Sequence, residues 1–420
     1  MLIGIDASRA NRLRKTGTEW SSYHLIRALA QLDDHNQYLL YTDEPLKDGL
    51  LDLSALESSV IKRDYQFDHN GDQTLISPHH NFRGRVLHWP FTFFWTLGRF
   101  SLEMIRQRPD VLFVPAHGLP LVCPAKTVAT IHDIGFKRAD ELYGPEQITN
   151  NSRILNSLVR VFTRGRYQAT KRDYLDWSTD FALRKARAII TISEFSKREL
   201  AAVNQAAGDK IKVIHNGYDK IFNPQADTEE AKKKILDRYG LEEPFVFYLG
   251  RLEKKKNIGC LVEAFSILLQ DHPTCRHRLC LAGIPGFGYQ NIKNLVYRYE
   301  LREKVQLVDW IRQVDLPIVY RAATAFVFPS KYEGFGIPVL EALACGVPAA
   351  VSGAASLPEV AGAGALYFNP DDPRDIAAKL WQLISDETTR ARLRAIGLEQ
   401  VKKFSWGKAA RQTLQVLENL

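Results

Sequence analysis

The 420-residue sequence is poor in cysteine and contains no long hydrophobic run. Its five cysteines are odd in number and include no Cys-x-x-Cys pair, so they predict neither a disulfide framework nor a cysteine-based metal site. No stretch of about 18 apolar residues is present, which argues against a membrane-spanning helix. The N-terminal sequence MLIGIDASRA lacks the basic region and cleavage pattern of a signal peptide. These absences predict a globular protein located in the cytoplasm.

The balance of charge is uneven. The 56 Lys and Arg residues exceed the 48 Asp and Glu residues, which gives a net charge of +8 at pH 7 and predicts an anionic partner. In residues 81–108, arginines are interspersed with tryptophans and phenylalanines. This mixture is typical of a peripheral membrane contact, here at the inner face of the plasma membrane, and packing of the rings inside their own domain explains it equally well. Nucleic acid is a less favoured partner, because the sequence shows no zinc-finger spacing or other recognisable nucleic-acid-binding module.

Length and patterning predict two α/β domains. The chain is longer than a single hydrophobic core usually supports, and short apolar runs alternate with helical patterns, as in βα units with parallel sheets. The first predicted series of strands is Leu2–Ile5, Tyr38–Tyr41, Val111–Val114, Thr127–Ile131, Ala188–Thr191 and Lys212–Ile214. The second series is Phe245–Leu249, Leu279–Ala282, Val305–Leu307, Ala325–Phe328, Ala349–Val351 and Ala365–Phe368. We expect domains at residues 1–218 and 227–403, and a last helix at residues 404–420.

Basic residues follow the predicted strand Phe245–Leu249. Arg251 and Lys256 come just beyond its carboxyl end, which is where open α/β sheets bind their ligands. A diphosphate is a suitable ligand, because arginine binds its oxygens bidentately and lysine contacts it as a point charge. A solvated basic turn is the simpler structural explanation. His132 similarly follows the predicted strand Thr127–Ile131, where a single histidine is more often a satisfied structural group than a catalyst.

The sequence PSKYEGFGIPVLEALACGVP, at residues 329–348, carries two carboxylates. Glu333 lies on a glycine-bearing loop, and Glu341 is predicted in the first turn of a helix that spans residues 339–345. The glycines on either side of Phe335 allow the backbone to approach an anion closely. Carboxylates accept hydrogen bonds from hydroxyl groups, so the segment suits a sugar nucleotide. A turn followed by an ordinary capped helix has the same pattern.

Together these segments resemble glycosyltransferase family 4. The resemblance is carried by the EGFG…E block that contains Glu333 and Glu341, by the GR…K element of Arg251 and Lys256, by TIHDIGF around His132, and by the segments SEFS and HNGYD. Members of this family are retaining enzymes with the GT-B fold, in which two doubly wound Rossmann-like domains face each other across a cleft. A C-terminal helix crosses back to the first domain. The resemblance implies this fold for nearly the whole chain.

The resemblance also implies residue roles. Catalytic roles fall to Glu333, His132, Arg251 and Lys256. Donor-binding roles fall to Gly17, Arg251, Lys256, Glu333, Phe335, Gly336, Ile337 and Glu341. Family members often have a fuller glycine-rich turn where this chain has Gly17 alone, so the basic residues beside it, Arg12, Arg14 and Lys15, could instead face an acceptor pyrophosphate. Asp133 is adjacent to His132, and its role is left open between orienting a loop and meeting the acceptor.

The implied reaction has a nucleotide-sugar donor and a glycan or lipid-linked acceptor of surface polysaccharide and lipopolysaccharide assembly. GDP-mannose is the first expectation for the donor and a UDP-sugar the second, because the HDI and ISEFSKREL segments resemble mannosyltransferases. Front-face attack is the favoured mechanism in the family, and a covalent intermediate on an enzyme carboxylate is the rival. The chain has no Asp-x-Asp triplet, so no metal and no other cofactor is expected. A nucleotide-sugar 2-epimerase on a related fold is the alternative enzyme.

Overall fold

The computed structural model describes residues 1–54, 66–69, 71–90, 94–138, 142 and 170–420. They form two compact units. The first contains the described residues up to Lys137, residues 170–217 and the C-terminal segment Ser405–Leu420, and the second consists mainly of Tyr218–Phe404. Each unit has one largely parallel sheet with helices between successive strands. The expectation of two Rossmann-like α/β domains is therefore confirmed.

In the described residues of the first unit, the sheet has eight strands. They are β1 (Leu2–Asp6), β2 (Gln37–Thr42), β3 (Gln73–Thr74), β4 (Phe82–Val86), β5 (Val111–Val114), β6 (Thr127–Thr130), β7 (Ala188–Thr191) and β8 (Ile211–Val213). Their order is β3-β4-β2-β1-β5-β6-β7-β8, and only the pairing of β3 with β4 is antiparallel. The six predicted strands are present to within one residue at each end. The sequence did not predict β3 and β4, because neither is an apolar run: β4 alternates its buried residues with Arg83 and Arg85.

Helices are numbered along the whole chain. The first unit contains α1 (Gly17–Leu32), α2 (Ser101–Arg106), α3 (Gly135–Arg138), α4 (Lys171–Lys185), α5 (Glu194–Val203) and the last helix, α14 (Trp406–Glu418). Short turns of other helical types lie at Asp48–Leu50, Thr96–Phe100 and Gln205–Lys210. Ser193 caps α5, since its Oγ accepts a hydrogen bond from the backbone N–H of Ser196 (3.0 Å).

The last helix completes the core of the first unit. It begins after Ser405, whose Oγ accepts a hydrogen bond from the backbone N–H of Lys408 (3.2 Å). Ala410 and Leu417 are fully buried in the same hydrophobic cluster as residues of β1 and α1, and the Trp406 ring stacks on His24 of α1 with ring centroids 5.4 Å apart. The expected return of a C-terminal helix to the first domain is therefore confirmed.

The sheet of the second unit has six parallel strands. They are β9 (Phe245–Leu249), β10 (Arg278–Ala282), β11 (Val305–Val308), β12 (Ala325–Phe328), β13 (Ala349–Ser352) and β14 (Ala365–Phe368), in the order β11-β10-β9-β12-β13-β14. The helices are α6 (Glu229–Tyr239), α7 (Ile258–Asp271), α8 (Tyr289–Arg298), α9 (Leu316–Ala322), α10 (Ile337–Ala344), α11 (Leu357–Ala361), α12 (Pro373–Ser385) and α13 (Glu387–Val401). Short 3₁₀ turns lie at Lys254–Lys256 and Gly362–Gly364. The order of the strands reverses between β9 and β12, and ligands of doubly wound sheets bind at such a reversal.

The aromatic and basic segment at residues 81–108 packs largely inside the first unit. Trp95 donates a hydrogen bond from Nε1 to the carbonyl oxygen of Leu87 (2.8 Å), and its ring stacks on that of Phe100, which is fully buried. Arg85 and Arg99 both pair with the buried Glu103, at 3.3 and 2.9 Å. Two of the phenylalanines considered for a membrane contact, at positions 91 and 93, lie outside the described residues. The described rings Trp95 and Phe100 contribute to the core.

Close packing at Gly217 gives a test of this fold. A Cβ atom on Gly217 would lie 2.2 Å from the backbone nitrogen of Trp406, so Gly217→Ala must displace the start of α14. Overpacking of this kind costs about 1–3 kcal/mol, and we expect the melting temperature of the variant to fall by several degrees. Gly208→Ala is the matched control, because a Cβ there meets no atom within 4 Å. Equal melting temperatures for the two variants would contradict the contact between Gly217 and α14.

Candidate active site

The loops after β9 and β12 carry three of the predicted residues in the second unit and bring two of them into contact. Arg251 and Lys256 lie on the loop after β9, and Glu333 lies on the loop after β12. Lys256 donates a hydrogen bond from Nζ to Oε1 of Glu333. The backbone N–H of Lys331 also donates to the carbonyl oxygen of Lys255 (3.2 Å), which joins the two loops a second time. Lys256 and Glu333 therefore meet where the order of the sheet reverses, and Arg251 lies on the same loop as Lys256.

The ion pair of Lys256 and Glu333 is largely buried. The two side chains are 14% and 11% exposed, and the Lys256 ammonium also lies 5.5 Å from the centroid of the Phe328 ring. A buried charge is costly unless it is paired, and loss of one partner leaves the other uncompensated. The two side chains therefore compensate each other's charge at the carboxyl ends of β9 and β12.

Arg251 is the more accessible cation of this site. Its side chain is 42% exposed, and its Nε lies 3.5 Å from Oε2 of Glu253, a carboxylate that is only 11% exposed. Arg251 is therefore partly open to solvent and has the Glu253 carboxylate beside it. The sequence did not single out Glu253, since a glutamate in a lysine-rich turn has the pattern of an ordinary surface charge.

Two glycines permit the close approach of backbone at this end of the sheet. Gly283, after β10, has φ +151°, and a Cβ there would lie 1.8 Å from the carbonyl oxygen of Gly250. Gly336 has φ +104° at the start of α10, a conformation that residues with a Cβ rarely adopt. At these two positions beside the candidate site, the absence of a side chain is therefore what allows the observed backbone conformation.

The loop before α10 is held by a residue that the sequence did not predict. Ser356 is fully buried, and its Oγ lies 2.9 Å from the carbonyl oxygen of Glu333 and 3.1 Å from that of Phe335. In a trans peptide the N–H points opposite to the C=O. The N–H of Gly336 therefore points away from Ser356, at the N-terminal end of the helix that begins at Ile337. This orientation suits an anion bound beside α10.

Glu341 occupies a different turn from the one expected. The helix begins at Ile337, two residues earlier than the sequence predicted, so Glu341 lies in the second turn of α10. The reason is that Gly336 takes the left-handed conformation and Pro338 is the second helical residue. The Tyr320 hydroxyl donates a hydrogen bond to Oε2 of Glu341 (3.0 Å). Burial raises the pKa of Glu341 to about 8, although this hydrogen bond opposes the shift.

The first unit contributes His132, which lies beyond the end of β6. His132 is buried, and its Nε2 lies 3.1 Å from the carbonyl oxygen of Pro115. A carbonyl only accepts, so Nε2 carries the proton and Nδ1 is the free base. Burial, and next the neighbouring His117, lower the pKa of His132 to about 4. His132 is therefore uncharged at neutral pH.

His117 follows β5, the neighbouring strand, and was missed in the sequence. Its ring centroid lies 6.2 Å from that of His132, and its Nε2 lies 3.0 Å from the carbonyl oxygen of Asp133. Burial lowers its pKa as well. Asp133 accepts a hydrogen bond at Oδ1 from the backbone N–H of Gly135 (3.0 Å), so it orients the loop between β6 and α3. The adjacency of β5 and β6 was the signal that could have paired the two histidines.

Gly17 is the first residue of α1. A Cβ on Gly17 would meet no atom within 4 Å, so this glycine borders open space. The basic residues before it have partners within the first unit. Arg12 pairs with Asp43 (2.7 Å), and the Lys15 ammonium lies 4.9 Å from the centroid of the Tyr23 ring. The structure describes Gly17 and His132 in one unit and the residues around Glu333 in the other.

The described residues offer no metal centre and no disulfide. In the part of the chain that the structure describes, no three His, Cys, Asp or Glu residues are grouped so that they could hold a metal ion. All five cysteines are free. Of the helices described, none is both long and apolar enough to cross a membrane.

Two family models match the chain. The model of the group 1 glycosyl transferases matches residues 227–400, and the model of glycosyltransferase family 4 matches residues 16–220. The chain is 33% identical over 264 residues to O-antigen chain mannosyltransferase B of Escherichia coli, which covers 62% of this chain and 68% of that protein. It is 30% identical over 267 residues to the serotype-specific mannosyltransferase WbdA of Escherichia coli, covering 62% of this chain but only 32% of the larger protein.

A solved structure shares the fold over the whole chain. Sucrose-phosphate synthase from Thermosynechococcus elongatus superposes with a TM-score of 0.70 at 20% identity, covering 100% of this chain and 98% of that one. At this level of identity the similarity concerns the fold alone. It supports the GT-B arrangement expected from the sequence.

The raised pKa of Glu341 predicts a pH-dependent stability. The unfolded chain releases this proton near its ordinary pKa of 4.5, whereas the folded protein keeps it until about pH 8. The contribution of Glu341 to the free energy of unfolding is therefore full at low pH and is lost as the pH rises through this window, with a slope of at most about 1.4 kcal/mol per pH unit. Urea unfolding at pH 5.5–8.5 should show that Glu341→Gln flattens this decline, and that Glu303→Gln, at an exposed glutamate, does not. Parallel curves for wild type and Glu341→Gln would exclude a raised pKa.

The buried ion pair predicts a strong coupling. Lys256→Met and Glu333→Gln should each lower the free energy of unfolding, by up to about 3–5 kcal/mol, because each leaves one buried charge unpaired. The double variant should recover much of this loss but should remain inactive in any transfer assay. A double-mutant cycle measured by urea unfolding gives the coupling. Additive losses would show that the two side chains do not form a pair in solution.

Proposed function

The chain belongs to the group 1 and family 4 glycosyltransferases, and we propose that it transfers a hexose from a nucleotide diphosphate sugar, with retention, to a glycan or lipid-linked acceptor of surface-polysaccharide assembly. The observation that carries the proposal is the contact of Lys256 with Glu333 at the reversal of the second sheet, with Arg251 on the same loop as Lys256. These residues lie within the range that the group 1 model matches. Cations that face a diphosphate and a carboxylate that faces sugar hydroxyls are what such a reaction needs.

We propose mannose as the transferred sugar and GDP-mannose as the donor, with a UDP-sugar as the second candidate. Support comes from two similar proteins, both of which are named as mannosyltransferases. The name O-antigen chain mannosyltransferase B also supports an acceptor of the polysaccharide kind. The 2-epimerase alternative has no support among these relatives.

In the proposed complex, positive charge lies where the leaving group develops negative charge. Cleavage of the bond between the sugar C1 and the phosphate oxygen leaves its electron pair on the nucleoside diphosphate. Arg251 and Lys256 can bind that diphosphate, and a contact that strengthens as charge develops lowers the barrier. The N-terminal end of α10 adds the partial positive charge of its amides. No metal is required for charge compensation in this proposal.

The ion pair of Glu333 bears on the mechanism by which the configuration at the sugar C1 is retained. Because its Oε1 accepts the hydrogen bond of Lys256, Glu333 is a poor nucleophile for a covalent intermediate. We therefore favour front-face attack. The acceptor oxygen forms its bond to C1 on the face that the diphosphate leaves, and the proton of the acceptor hydroxyl passes to the departing phosphate oxygen. Glu333 then contacts sugar hydroxyls, while Glu341, on α10, contacts the ribose.

His132 has a supporting part in this scheme. Its uncharged ring offers the lone pair of Nδ1 as a hydrogen-bond acceptor, so it suits a sugar hydroxyl better than an anionic group. The hydroxyl of Ser196 donates to the backbone carbonyl of His132 (3.1 Å), which fixes the backbone at this position. The SEFS segment thus supports His132 in addition to capping α5.

The test is thermal unfolding of the purified protein with GDP, UDP, GDP-mannose and UDP-glucose, each with and without EDTA. A ligand that binds only the folded state raises the melting temperature by mass action, by an amount that grows with concentration. We expect the largest shift with GDP and GDP-mannose and no change with EDTA. A larger shift with UDP would make a UDP-sugar the donor, and a shift abolished by EDTA would contradict the metal-free scheme.

Two lysine variants make the test specific to the site. Lys256→Met should remove most of the shift, whereas Lys254→Met should retain it, because Lys254 is an exposed neighbour on the same turn. No shift with any nucleotide would contradict the proposed donor class. A shift in melting temperature that persists in Lys256→Met would contradict the binding of the diphosphate by this loop.

A further inference from the structure

One edge of the first sheet carries a row of cations. The strands β5, β6, β7 and β8 are parallel neighbours, so the residues before them lie along one edge, with about 4.8 Å between strands. Lys126 precedes β6, Arg187 precedes β7 and Lys210 precedes β8. Backbone hydrogen bonds align these positions: Leu112 donates to the carbonyl oxygen of Lys126 (3.0 Å), and Arg187 donates to that of Thr127 (2.8 Å). The amino ends of these strands are therefore strongly basic.

Further cations extend this row. Arg106 ends α2, Arg108 lies between α2 and β5, Lys185 ends α4, and Lys212 lies within β8. We call the whole group the basic edge: Arg106, Arg108, Lys126, Lys185, Arg187, Lys210 and Lys212. All are exposed except Lys210, which is half-buried. Asp110 and Asp209 lie among them, and the basic edge keeps a clear net positive charge.

Exposed aliphatic side chains lie beside the basic edge. Ile105 is 65% exposed and Leu102 40%, and they share one face of α2 because they are three residues apart. On the loop between β5 and β6, Leu121 is 51% exposed and Val122 43%. The backbone N–H of Leu121 donates a hydrogen bond to Oγ of Ser101 (2.8 Å), which holds this loop against the start of α2. These four side chains form the aliphatic patch.

We propose that the basic edge and the aliphatic patch together dock the first unit on a bilayer that contains anionic phospholipids. The cations would bind lipid phosphates, and the aliphatic side chains would enter the headgroup region, which is how peripheral proteins combine charge with apolar burial. Nucleic acid would use the cations but would leave the aliphatic patch in water. The surface overlaps only in part with the segment expected from the sequence, residues 81–108: it includes Ile105, Arg106 and Arg108, whereas the rings of Trp95 and Phe100 are buried.

The docked orientation follows from the direction of the strands. Lys126 precedes β6 and His132 follows it, so the two lie at opposite ends of a four-residue strand. A strand of that length spans about 13 Å. The first-unit part of the candidate site therefore faces away from the bilayer. This inference goes beyond the proposed transfer reaction, and vesicle binding tests it whatever the donor is.

The experiment is sedimentation of the full chain with vesicles of phosphatidylcholine, alone or mixed with phosphatidylglycerol. We expect binding only to the mixed vesicles and a decline with salt. Each lysine or arginine near an anionic bilayer contributes about fivefold to partitioning, so Lys126→Glu/Arg187→Glu should reduce binding by about 25-fold or more. The matched control is Arg276→Glu/Arg392→Glu, at two exposed arginines of the second unit with the same change in net charge.

A second pair of variants tests the aliphatic patch. Ile105→Ser/Leu121→Ser should reduce binding to mixed vesicles by about tenfold, and Val314→Ser, at a 61% exposed valine of the second unit, should not. Circular dichroism and melting temperature establish that each variant is folded. Equal binding to both kinds of vesicle, or equal losses in the control variants, would overturn the proposal. Tighter binding to duplex DNA, with no loss in Ile105→Ser/Leu121→Ser, would overturn it in favour of a polyanion site.

Discussion

The ion pair of Lys256 and Glu333 is the interaction on which the second-unit site depends. It joins the loops that follow β9 and β12, the two central strands between which the order of the sheet reverses. Neither charge could remain in so buried a position without the other. The surrounding features serve the same arrangement: Gly283 lets the loop after β10 lie against Gly250, and Ser356 turns two carbonyl groups of the loop before α10 inward.

The two units differ in the charge of the side chains that lie near the ends of their strands. In the first unit, the half-buried His117 and the buried His132 are uncharged at neutral pH, and Arg12 and Lys15 have partners of their own. In the second unit, the accessible cation Arg251 and the largely buried, ion-paired Lys256 lie beyond the carboxyl end of β9. Under the proposed function, this division assigns the diphosphate to the second unit and uncharged hydroxyl groups to the first.

The sequence predicted the strands well because most of them are buried and parallel, and such strands are continuous apolar runs that stand out from amphipathic helices. The sequence did not predict features that depend on residues adjacent in space but distant in the chain. The strand β4 is recognisable only once β2 lies beside it, and His117 becomes notable only because β5 and β6 are adjacent. Glu341 was placed one turn too early because the conformation of Gly336, not Pro338, sets the start of α10. Arg251, Lys256 and Glu333 could be predicted together because each follows a strand end in a motif of distinctive spacing, whereas nothing local distinguishes Glu253 or Ser356.

The return of α14 to the first unit has a consequence for synthesis of the chain on the ribosome. The second unit is nearly continuous in sequence and is complete once Phe404 has emerged. The first unit is begun earliest but lacks part of its core until the last 16 residues, Ser405–Leu420, are released. During translation the apolar face of α1 that packs with α14 therefore stays uncovered until the whole second unit has been synthesised. Domains generally fold in the order of their synthesis, but here the order is inverted, and a nascent chain that ends prematurely would leave the first unit unfinished and prone to aggregation.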